Sequence, residues 1–396
     1  MKTITLQLLF AVLIAWLAYS QNAQAVNPPP DGGYPGGNTA EGQAALLSLT
    51  TGGFNTAVGF FSLRSDTTGQ LNTGVGAGTL LANLGDSNTA TGAGALLSNT
   101  TGVQNTATGA FALVSNTEAN NNTANGAFAL FSNTTDTENV ANGTSALSSN
   151  TQGSRNTANG AFALNENTTG NDNTANGDAT LPANTTGGFN TASGINALVN
   201  NIGGSSNTAL GDSAGFNVTT ANHVICIGAN VQGENVSNTC YIGNIFGVTS
   251  SGGAGVFVNA DGKLGTTTSS RRFKTEIKSM EQTSEMLYAL KPVTFRYSKE
   301  IDSTGIRQLG LVAEDVEEVN PDLIVRDKDG KPYSVRYDQV NAMLLNEFLK
   351  EHRTVMELKK EIAALAEAVK DQAAQIQKVC AHLEIQRPNA AIAENQ

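Results

Sequence analysis

One stretch decides the fold of the first half of this chain: Asn88-Thr89-Ala90-Thr91-Gly92-Ala93-Gly94-Ala95-Leu96-Leu97-Ser98-Asn99-Thr100-Thr101-Gly102-Val103-Gln104. It is one copy of a unit that recurs every 17 residues, except for one interval of 16. The fifth position is Gly in all eleven units, and the ninth is Leu in the first ten. The units open at Asn38, Asn55, Asn72, Asn88, Asn105, Asn122, Asn139, Asn156, Asn173, Asn190 and Asn207.

The length of the unit predicts a β-solenoid. Helical repeats need more than about 30 residues, because each must supply two helices and their turns. A 17-residue unit rich in Gly, Asn and Thr instead suits one coil of two short strands and two tight turns. Gly at the fifth position allows a backbone bend that other residues resist. We expect the ninth-position Leu and third-position Ala to face inward in columns, and stacked Asn side chains to hydrogen-bond from coil to coil.

The repeat also predicts more than one chain. A coil with one Leu and a few Ala buries little apolar surface, whereas ordering each residue costs about 1–2 kcal/mol. Phe111, Phe128 and Phe162 recur at the seventh position, where they extend the core or meet a neighbouring chain. We therefore expect a homotrimer in which three thin solenoids share an axis.

Residues 38–247 resemble the head repeats of trimeric autotransporter adhesins. The phrase that carries the resemblance is Asn-Thr-Ala-x-Gly, which drifts to Ile227-Gly228 and Ile242-Gly243 near the end. The resemblance implies a trimeric left-handed β-roll that binds a surface glycan or protein. The repeat of this chain is longer than the repeat of that family.

Composition and the N-terminal sequence indicate export. The formal net charge is -11, and residues 26–268 carry 13 acidic and 3 basic side chains. The sequence therefore has no basic patch of the kind that binds nucleic acid, and we expect no nucleic acid partner. Lys2, an apolar run from Leu6 to Ala18 and the small residues of Ala23-Gln24-Ala25 predict a signal peptide. An uncleaved anchor is the alternative. We expect a secreted, extracellular or cell-surface protein without a membrane span in its mature chain.

The cysteines and the other residue types that bind metals predict neither a disulfide framework nor a metal site. Cys226, Cys240 and Cys380 are an odd set, so at least one is free or paired between chains. Cys226 and Cys240 differ by one in their offset from the following glycine, which turns them to opposite faces of a strand. We expect buried, unpaired thiols. No His, Cys and carboxylate cluster has metal-ligand spacing, and no cofactor is expected.

The composition changes abruptly near residue 265, where Gly and Asn thin out. The phrases Leu290 to Tyr297 and Pro321 to Val325 predict strands, Leu309 to Val316 predicts a strand entering a short helix, and a long helix follows from about Tyr337. The fold class is therefore mainly β, a β-solenoid or β-roll followed by a small α+β domain and a coiled-coil helix. The predicted segments are a signal peptide at 1–25, a Pro/Gly linker at 26–37, solenoid repeats at 38–221, degenerate coils and a junction at 222–268, the α+β domain at 269–343, and the coiled-coil helix and tail at 344–396.

Residues 269 to about 380 resemble the endosialidase-type intramolecular chaperone at the end of phage tailspikes and tail fibres. That family opens with Ser-Asp-x-Arg-x-Lys; here Ser269, Arg272 and Lys274 match, and Ser270 replaces the Asp. The downstream phrase Gly310-Leu311-Val312-Ala313-Glu314 adds to the resemblance. The resemblance implies a domain that drives trimerisation of the fibre and then cleaves itself off.

The opening residues suit serine-type autoproteolysis with a single turnover. A lysine can take the proton of a serine hydroxyl when desolvation or a cationic neighbour lowers its pKa, and Arg271 and Arg272 are close in sequence. We expect Lys274 to deprotonate Ser269, whose oxygen then attacks the carbonyl of Thr268. The resulting ester is hydrolysed, which releases residues 269–396. The sequence does not identify the oxyanion-hole donors.

The end of the chain predicts a coiled coil. Alternating three- and four-residue steps form a heptad seam, preceded by Phe348 in the same register, with Gln372 at the remaining d position. The heptads leave two and three strands open, and the chaperone resemblance implies three. An amphipathic helix packed on its own domain would explain Phe348 but not the length of the seam. The seam residues are Val355, Leu358, Ile362, Leu365, Val369, Ile376, Val379 and Leu383.

Two other functions stay open from the sequence. A polysaccharide-degrading enzyme, like the phage proteins that share this chaperone, would need paired carboxylates in a groove. The 13 acidic residues of 26–268 recur at no fixed repeat position. An ice-binding solenoid would use threonine columns at the second and thirteenth positions. We favour a structural or adhesive fibre over both.

Overall fold

A computed structural model describes residues 34–385 of the chain, which form two units, one ending at Thr249 and one beginning at Ser250. The predicted signal peptide, most of the predicted linker and the end of the predicted tail lie outside the described residues. The first unit is the repeat region, and the second contains the residues of the predicted chaperone domain and helix.

The first unit is a β-solenoid, as predicted. Its thirteen strands form one parallel sheet in chain order, and each strand pairs with the same positions of the next coil, so that Ala107 lies opposite Ala124. The strands β1–β13 are Thr39–Glu41, Thr56–Val58, Thr73–Val75, Thr89–Thr91, Thr106–Thr108, Thr123–Asn125, Val140–Asn142, Thr157–Asn159, Thr174–Asn176, Thr191–Ser193, Thr208–Leu210, Ile225–Ile227 and Cys240–Ile242.

The predicted inward columns of Leu and Ala are confirmed. The ninth-position Leu residues from Leu63 to Leu181 are fully buried, and so are the third-position Ala residues from Ala90 to Ala209. The eighth position adds a third buried column, which is Ala in most coils, as at Ala112. Because these side chains are small, each coil is thin and the polar positions must share the interior.

The predicted Asn ladder is also confirmed. The Oδ1 of Asn88 accepts the backbone N–H of Asn105 at 3.0 Å, and the Nδ2 of Asn105 donates to the carbonyl oxygen of Ala119 at 2.8 Å. The same pattern recurs along the other opening Asn residues, which are buried. These bonds satisfy backbone groups that no strand pairing reaches, so the ladder supports the turns as well as the sheet.

A second buried Asn column, which was not singled out from the sequence, runs along the twelfth position of the repeat. Each Asn donates from Nδ2 to the Oδ1 of the Asn in the preceding coil, as Asn167 does to Asn150 at 2.9 Å. The column runs from Asn83 to Asn201. Several of its members open Asn-x-Thr triplets, as Asn99 and Asn167 do, and their burial gives these triplets a structural role.

The expectation of two strands in each coil was wrong, because each coil of the solenoid has one three-residue strand. The reason is the backbone at the seventh and ninth positions, where Phe111 has φ 57° and Leu113 has φ 51°. Left-handed residues interrupt extended structure, so the second half of the coil is a chain of turns. The fifth-position Gly is doubly required: Gly109 has φ 130°, and a Cβ there would lie 2.6 Å from the carbonyl carbon of Gly126.

The prediction of unpaired thiols is confirmed for all three cysteines of the single chain, whereas the prediction of burial was correct for Cys226 only. Cys226 is buried in β12, opposite Tyr241, whereas Cys240 is opposite Ile225 and exposed, which confirms that the two cysteines face opposite sides. Cys380 is exposed on the long helix, and all three thiols are free. Burial raises the pKa of the Cys226 thiol above its ordinary value.

The second unit is a small α+β structure with three two-stranded antiparallel sheets. The sheets pair Val256–Val258 with Leu264–Thr266, Val293–Phe295 with Gln308–Gly310, and Ile324–Arg326 with Pro332–Val335. A 3-10 helix at Glu281–Ala289 packs against the long helix α2, which is Tyr337–Ile385. Helix α2 begins at Tyr337, as the sequence predicted. The remaining elements are β14 Val256–Val258, β15 Leu264–Thr266, a 3-10 helix Arg271–Phe273, β16 Val293–Phe295, β17 Gln308–Gly310, α1 Ala313–Val319, a 3-10 helix Pro321–Leu323, β18 Ile324–Arg326, β19 Pro332–Val335 and α2 Tyr337–Ile385.

The core of the second unit is small and lies beside the first turns of α2. Val316 of α1, Leu323, Ile324 and Val335 pack with Met343 of α2. Within the described part of the chain, no helix combines the length and apolar character that crossing a bilayer requires.

Candidate functional site

The predicted cleavage site lies in a short segment between β15 and the 3-10 helix Arg271–Phe273. Ser270 precedes this helix in an extended conformation, and its carbonyl oxygen accepts the backbone N–H of Phe273 at 3.0 Å. The carbonyl oxygen of Arg271 accepts the N–H of Lys274 at 3.1 Å. The single helical turn therefore carries the chain back, so that residue 274 returns to the neighbourhood of residue 269.

Ser269 and Lys274 contact each other through their side chains. The Nζ of Lys274 donates a hydrogen bond to the Oγ of Ser269 at 3.0 Å. This distance is within the range for proton transfer between a nucleophile and its base. Both residues are exposed in the single chain.

The other predicted site residues surround this pair without joining it. The N–H of Ser270 faces the Oγ1 of Thr268 at 3.4 Å, which is a long contact between exposed residues. The guanidinium of Arg272 lies over the ring of Phe273, 4.6 Å from its centroid. Arg271 provides the carbonyl that closes the helical turn. Arg272 therefore contacts a ring, whereas the sequence suggested an electrostatic effect on Lys274.

An open cleft adjoins the residue before Thr268. Its volume is about 900 Å³, and its lining includes Phe257 and Val258 of β14, Thr267, Tyr333 of β19 and Tyr337 of α2. Phe257 and Tyr333 are 46% and 75% exposed, so the walls of the cleft present apolar surface to solvent. Exposed apolar surface of this kind marks an interaction site in many proteins.

The phrase Gly310-Leu311-Val312-Ala313-Glu314 has a clear structural role in this unit. The hydroxyl of Tyr337, the first residue of α2, accepts the backbone N–H of Leu311 at 3.0 Å. A Cβ at Gly310 would lie 2.9 Å from that hydroxyl oxygen and 3.2 Å from the ring of Phe295. Glycine is therefore required where β17 leaves its sheet beside the start of α2.

A buried polar cluster that the sequence did not predict joins the 3-10 helix Glu281–Ala289 to α2. Glu347 of α2 is 8% exposed and accepts hydrogen bonds from Ser284, from the hydroxyl of Tyr288 at 3.0 Å and from the Nζ of Lys350 at 2.8 Å. The neighbouring Lys350 ammonium, with these hydroxyl donors, lowers the pKa of the Glu347 carboxyl. The only sign of this cluster in the sequence is an acidic residue, Glu347, among the apolar residues of the first turns of a helix.

Helix α2 leaves its entire predicted seam exposed. The exposed fractions run from 42% at Val355 to 64% at Leu365, and Leu383 is 61% exposed. Phe348, which would pack on its own domain in the alternative interpretation, is 67% exposed. No part of the described chain covers the seam.

Across residues 34–385, no three His, Cys, Asp or Glu side chains come close enough together to hold a metal ion.

A β-solenoid is followed in the chain by a small α+β unit that contains the contacting pair Ser269 and Lys274. Residues 269–325 match the family model described as the chaperone of endosialidase, and the match begins at the predicted nucleophile Ser269. This match confirms the resemblance for that segment, from Ser269 through the first residues of β18. No curated protein and no solved structure matches the chain.

Proposed function

We propose that this protein is a secreted or surface-exposed trimeric fibre, adhesive or structural, whose C-terminal domain assists trimer folding and then cleaves the Thr268–Ser269 bond. One observation carries the proposal: the 3.0 Å contact between Lys274 and Ser269 lies at the start of a segment that matches a chaperone family. The solenoid supplies the fibre, and a surface glycan or protein is its proposed ligand.

The proposed reaction uses the two contacting side chains. Neutral Lys274 takes the proton of the Ser269 hydroxyl as Oγ attacks the carbonyl carbon of Thr268. The C–N bond breaks, the α-amine of Ser269 receives the proton from Lys274, and an ester joins Thr268 to Ser269. Water hydrolyses the ester to the Thr268 carboxylate and the free hydroxyl. Because the nucleophile belongs to its own substrate, each chain reacts once.

In this proposal, assembly of three chains creates the conditions that the chemistry needs. Lysine becomes a good base when it is taken out of water, and Ser269 and Lys274 are both exposed in the single chain. The uncovered seam of α2 and the apolar walls of the cleft beside Thr267 are surfaces that two further chains would cover. In this proposal the trimer desolvates Lys274, so cleavage follows folding.

The ice-binding alternative loses part of its basis. The hydroxyls of the thirteenth-position threonines donate to carbonyl oxygens of the next coil, as Thr100 does to Thr117 at 2.9 Å and Thr168 does to Thr185 at 2.9 Å. Hydroxyls bonded within the solenoid are less free to order water. No observation favours the polysaccharide-degrading alternative.

A denaturing gel tests the proposal. The wild-type chain should give two fragments, whereas Ser269→Ala and Lys274→Met should each give one full-length band. Lys278→Met is the matched control, because Lys278 is exposed on the same unit and should leave cleavage intact. Identical bands for wild type and Ser269→Ala would refute the cleavage.

A further inference from the structure

Helix α2 is fixed to the core of its unit and then leaves it. Val340 and Met343 are buried in that core, and Glu347 is held by Ser284 and Tyr288 of the 3-10 helix Glu281–Ala289. From Val355 onward the seam of the same continuous helix is exposed. Any displacement of the exposed half along its axis therefore displaces the folded unit to which it is attached.

In the trimer proposed above, the occupant of the seam is a further copy of this chain. The exposed apolar residues keep the 3.5-residue spacing that only a supercoiled partner helix follows, and the seam extends from Val355 to Leu383. Two copies of this helix match best in a parallel arrangement, because each apolar layer of one copy then packs against the same layer of the other. This step depends on the trimer proposed above.

The apolar layers do not define a unique alignment of such helices. The a positions are Val355, Ile362, Val369, Ile376 and Leu383, and these side chains replace one another in a slipped pairing at small cost. A slip of one heptad moves a helix by about 10 Å, since each residue rises about 1.5 Å. Without another determinant, several alignments would have similar free energy.

The flanking positions do not provide that determinant in the middle of the seam. Coiled coils commonly set partner alignment through charged residues at e and g. Here the e and g positions around the central layers are Ala366, Ala368, Ala373 and Gln375, which carry no charge. Lys359 and Glu361, the charged flanking residues, lie near the beginning of the seam.

We propose that Gln372 sets the register of the assembled helices. It is the one polar side chain at an a or d position between Val355 and Leu383, and it is exposed in the single chain. Aligned helices place their Gln372 amides in one layer, where each donates to and accepts from its neighbours. A slipped helix buries the amide against Leu365 or Val379, and an unpaired buried amide is costly. Gln372 thereby aligns the three folded units attached to α2.

The test compares Gln372→Leu with the matched control Gln377→Leu, which lies at a b position outside the seam. Both are made in the full chain, with spin labels on Ala374→Cys and with the exposed Cys240 and Cys380 replaced by Ser. Sedimentation gives the number of chains, and pulsed dipolar spectroscopy gives the distances between labels. Wild type and Gln377→Leu should show one narrow distance population, and Gln372→Leu should add a longer one from chains slipped by about 10 Å.

The outcomes separate this inference from the proposed function. If Gln372→Leu stays trimeric with the wild-type distance distribution, the register role is refuted and the fibre proposal stands. If the chain with Gln372 intact is monomeric, the proposed trimer fails and the register role fails with it. The melting points of the two Leu variants identify a merely structural role of Gln372. With such a role, Gln372→Leu would raise the melting point by removing a polar layer and would leave the alignment of the helices unchanged.

Discussion

Asn116 donates from Nδ2 to the Oδ1 of Asn99, one coil away, at 2.7 Å, and its own Oδ1 accepts from Asn133 at 3.2 Å. The interior of this solenoid is therefore held by amide columns between columns of Ala and Leu. Buried amides are stable only while every donor and acceptor has a partner, so each column depends on the regularity of its coils.

Replacing one member of the column should destabilise the solenoid. Asn116→Ala removes the acceptor of Asn133 and the donor to Asn99, and we expect a loss of about 1–3 kcal/mol in the free energy of unfolding. Chemical denaturation followed by circular dichroism measures this loss. Asn125→Ala is the control, because Asn125 belongs to an exposed surface ladder and its loss should cost far less. Equal effects at both positions would contradict the role of the buried column.

The column begins at a carboxylate, which should make the solenoid sensitive to pH. Asp66 is fully buried and accepts from Gly69, Asn72 and Asn83, and burial raises the pKa of its carboxyl above the ordinary 3.8 despite these donors. A raised pKa in the folded state means that stability is greatest below 3.8 and is lost as the pH rises through the raised value.

Asp66→Asn should therefore raise the melting temperature at pH 7 and change it little at pH 3. The new amide has the carbonyl of Gly69 as a partner, as Asn99 has the carbonyl of Gly102. Melting curves at both pH values test this, with the exposed Asp212→Asn as control. A lower melting temperature for Asp66→Asn at pH 7 would show that the charge stabilises the column.

The Glu347 cluster should respond to pH in the opposite direction. Lys350 and the hydroxyl donors lower the pKa of Glu347, so its stabilisation is present above the ordinary 4.5 and is lost as the pH falls through the lowered value. Amide exchange in Glu281–Ala289 should then rise in wild type, relative to Glu347→Gln, when the pH drops from 6 to 3. Parallel exchange in the two proteins at every pH would contradict this account.

A charge in the seam of α2 should prevent the proposed assembly. Ile362→Glu places a carboxylate in each chain at an a position, where three such charges would be buried together. We expect sedimentation to show monomers for Ile362→Glu and trimers for Ala363→Glu, whose side chain lies at a b position. A trimer with Ile362→Glu would refute the coiled coil.

Much of the fold was predictable, because a repeat of constant length pairs each position of one coil with the same position of the next coil. The regular spacing fixed which residues stack, and the small size of Ala and the recurrence of Leu96 and its equivalents identified the interior. The second strand was a wrong prediction, because left-handed backbone usually requires Gly or Asn, whereas Leu96 and Phe111 adopt it here. Interactions with the adjacent coils override that local preference, and a single unit does not reveal them.

The site was less predictable than the fold. The match of Ser269 and Lys274 to the opening of the chaperone family indicated the pair, and general serine–lysine chemistry indicated their roles. The position of Arg272 over Phe273 depends on a rotamer that sequence does not specify. The Glu347 cluster joins residues about sixty positions apart, such as Ser284, and no local pattern marks it. Long-range polar pairs of this kind require the folded structure.

Intact mass spectrometry of the purified product tests the central claim most directly. The account predicts two polypeptides, one ending at Thr268 and one beginning at Ser269 and ending at Gln396, and it predicts that Lys274→Met leaves them joined. A single polypeptide that contains an uncut Thr268–Ser269 bond, in a particle shown to hold three chains, would contradict it.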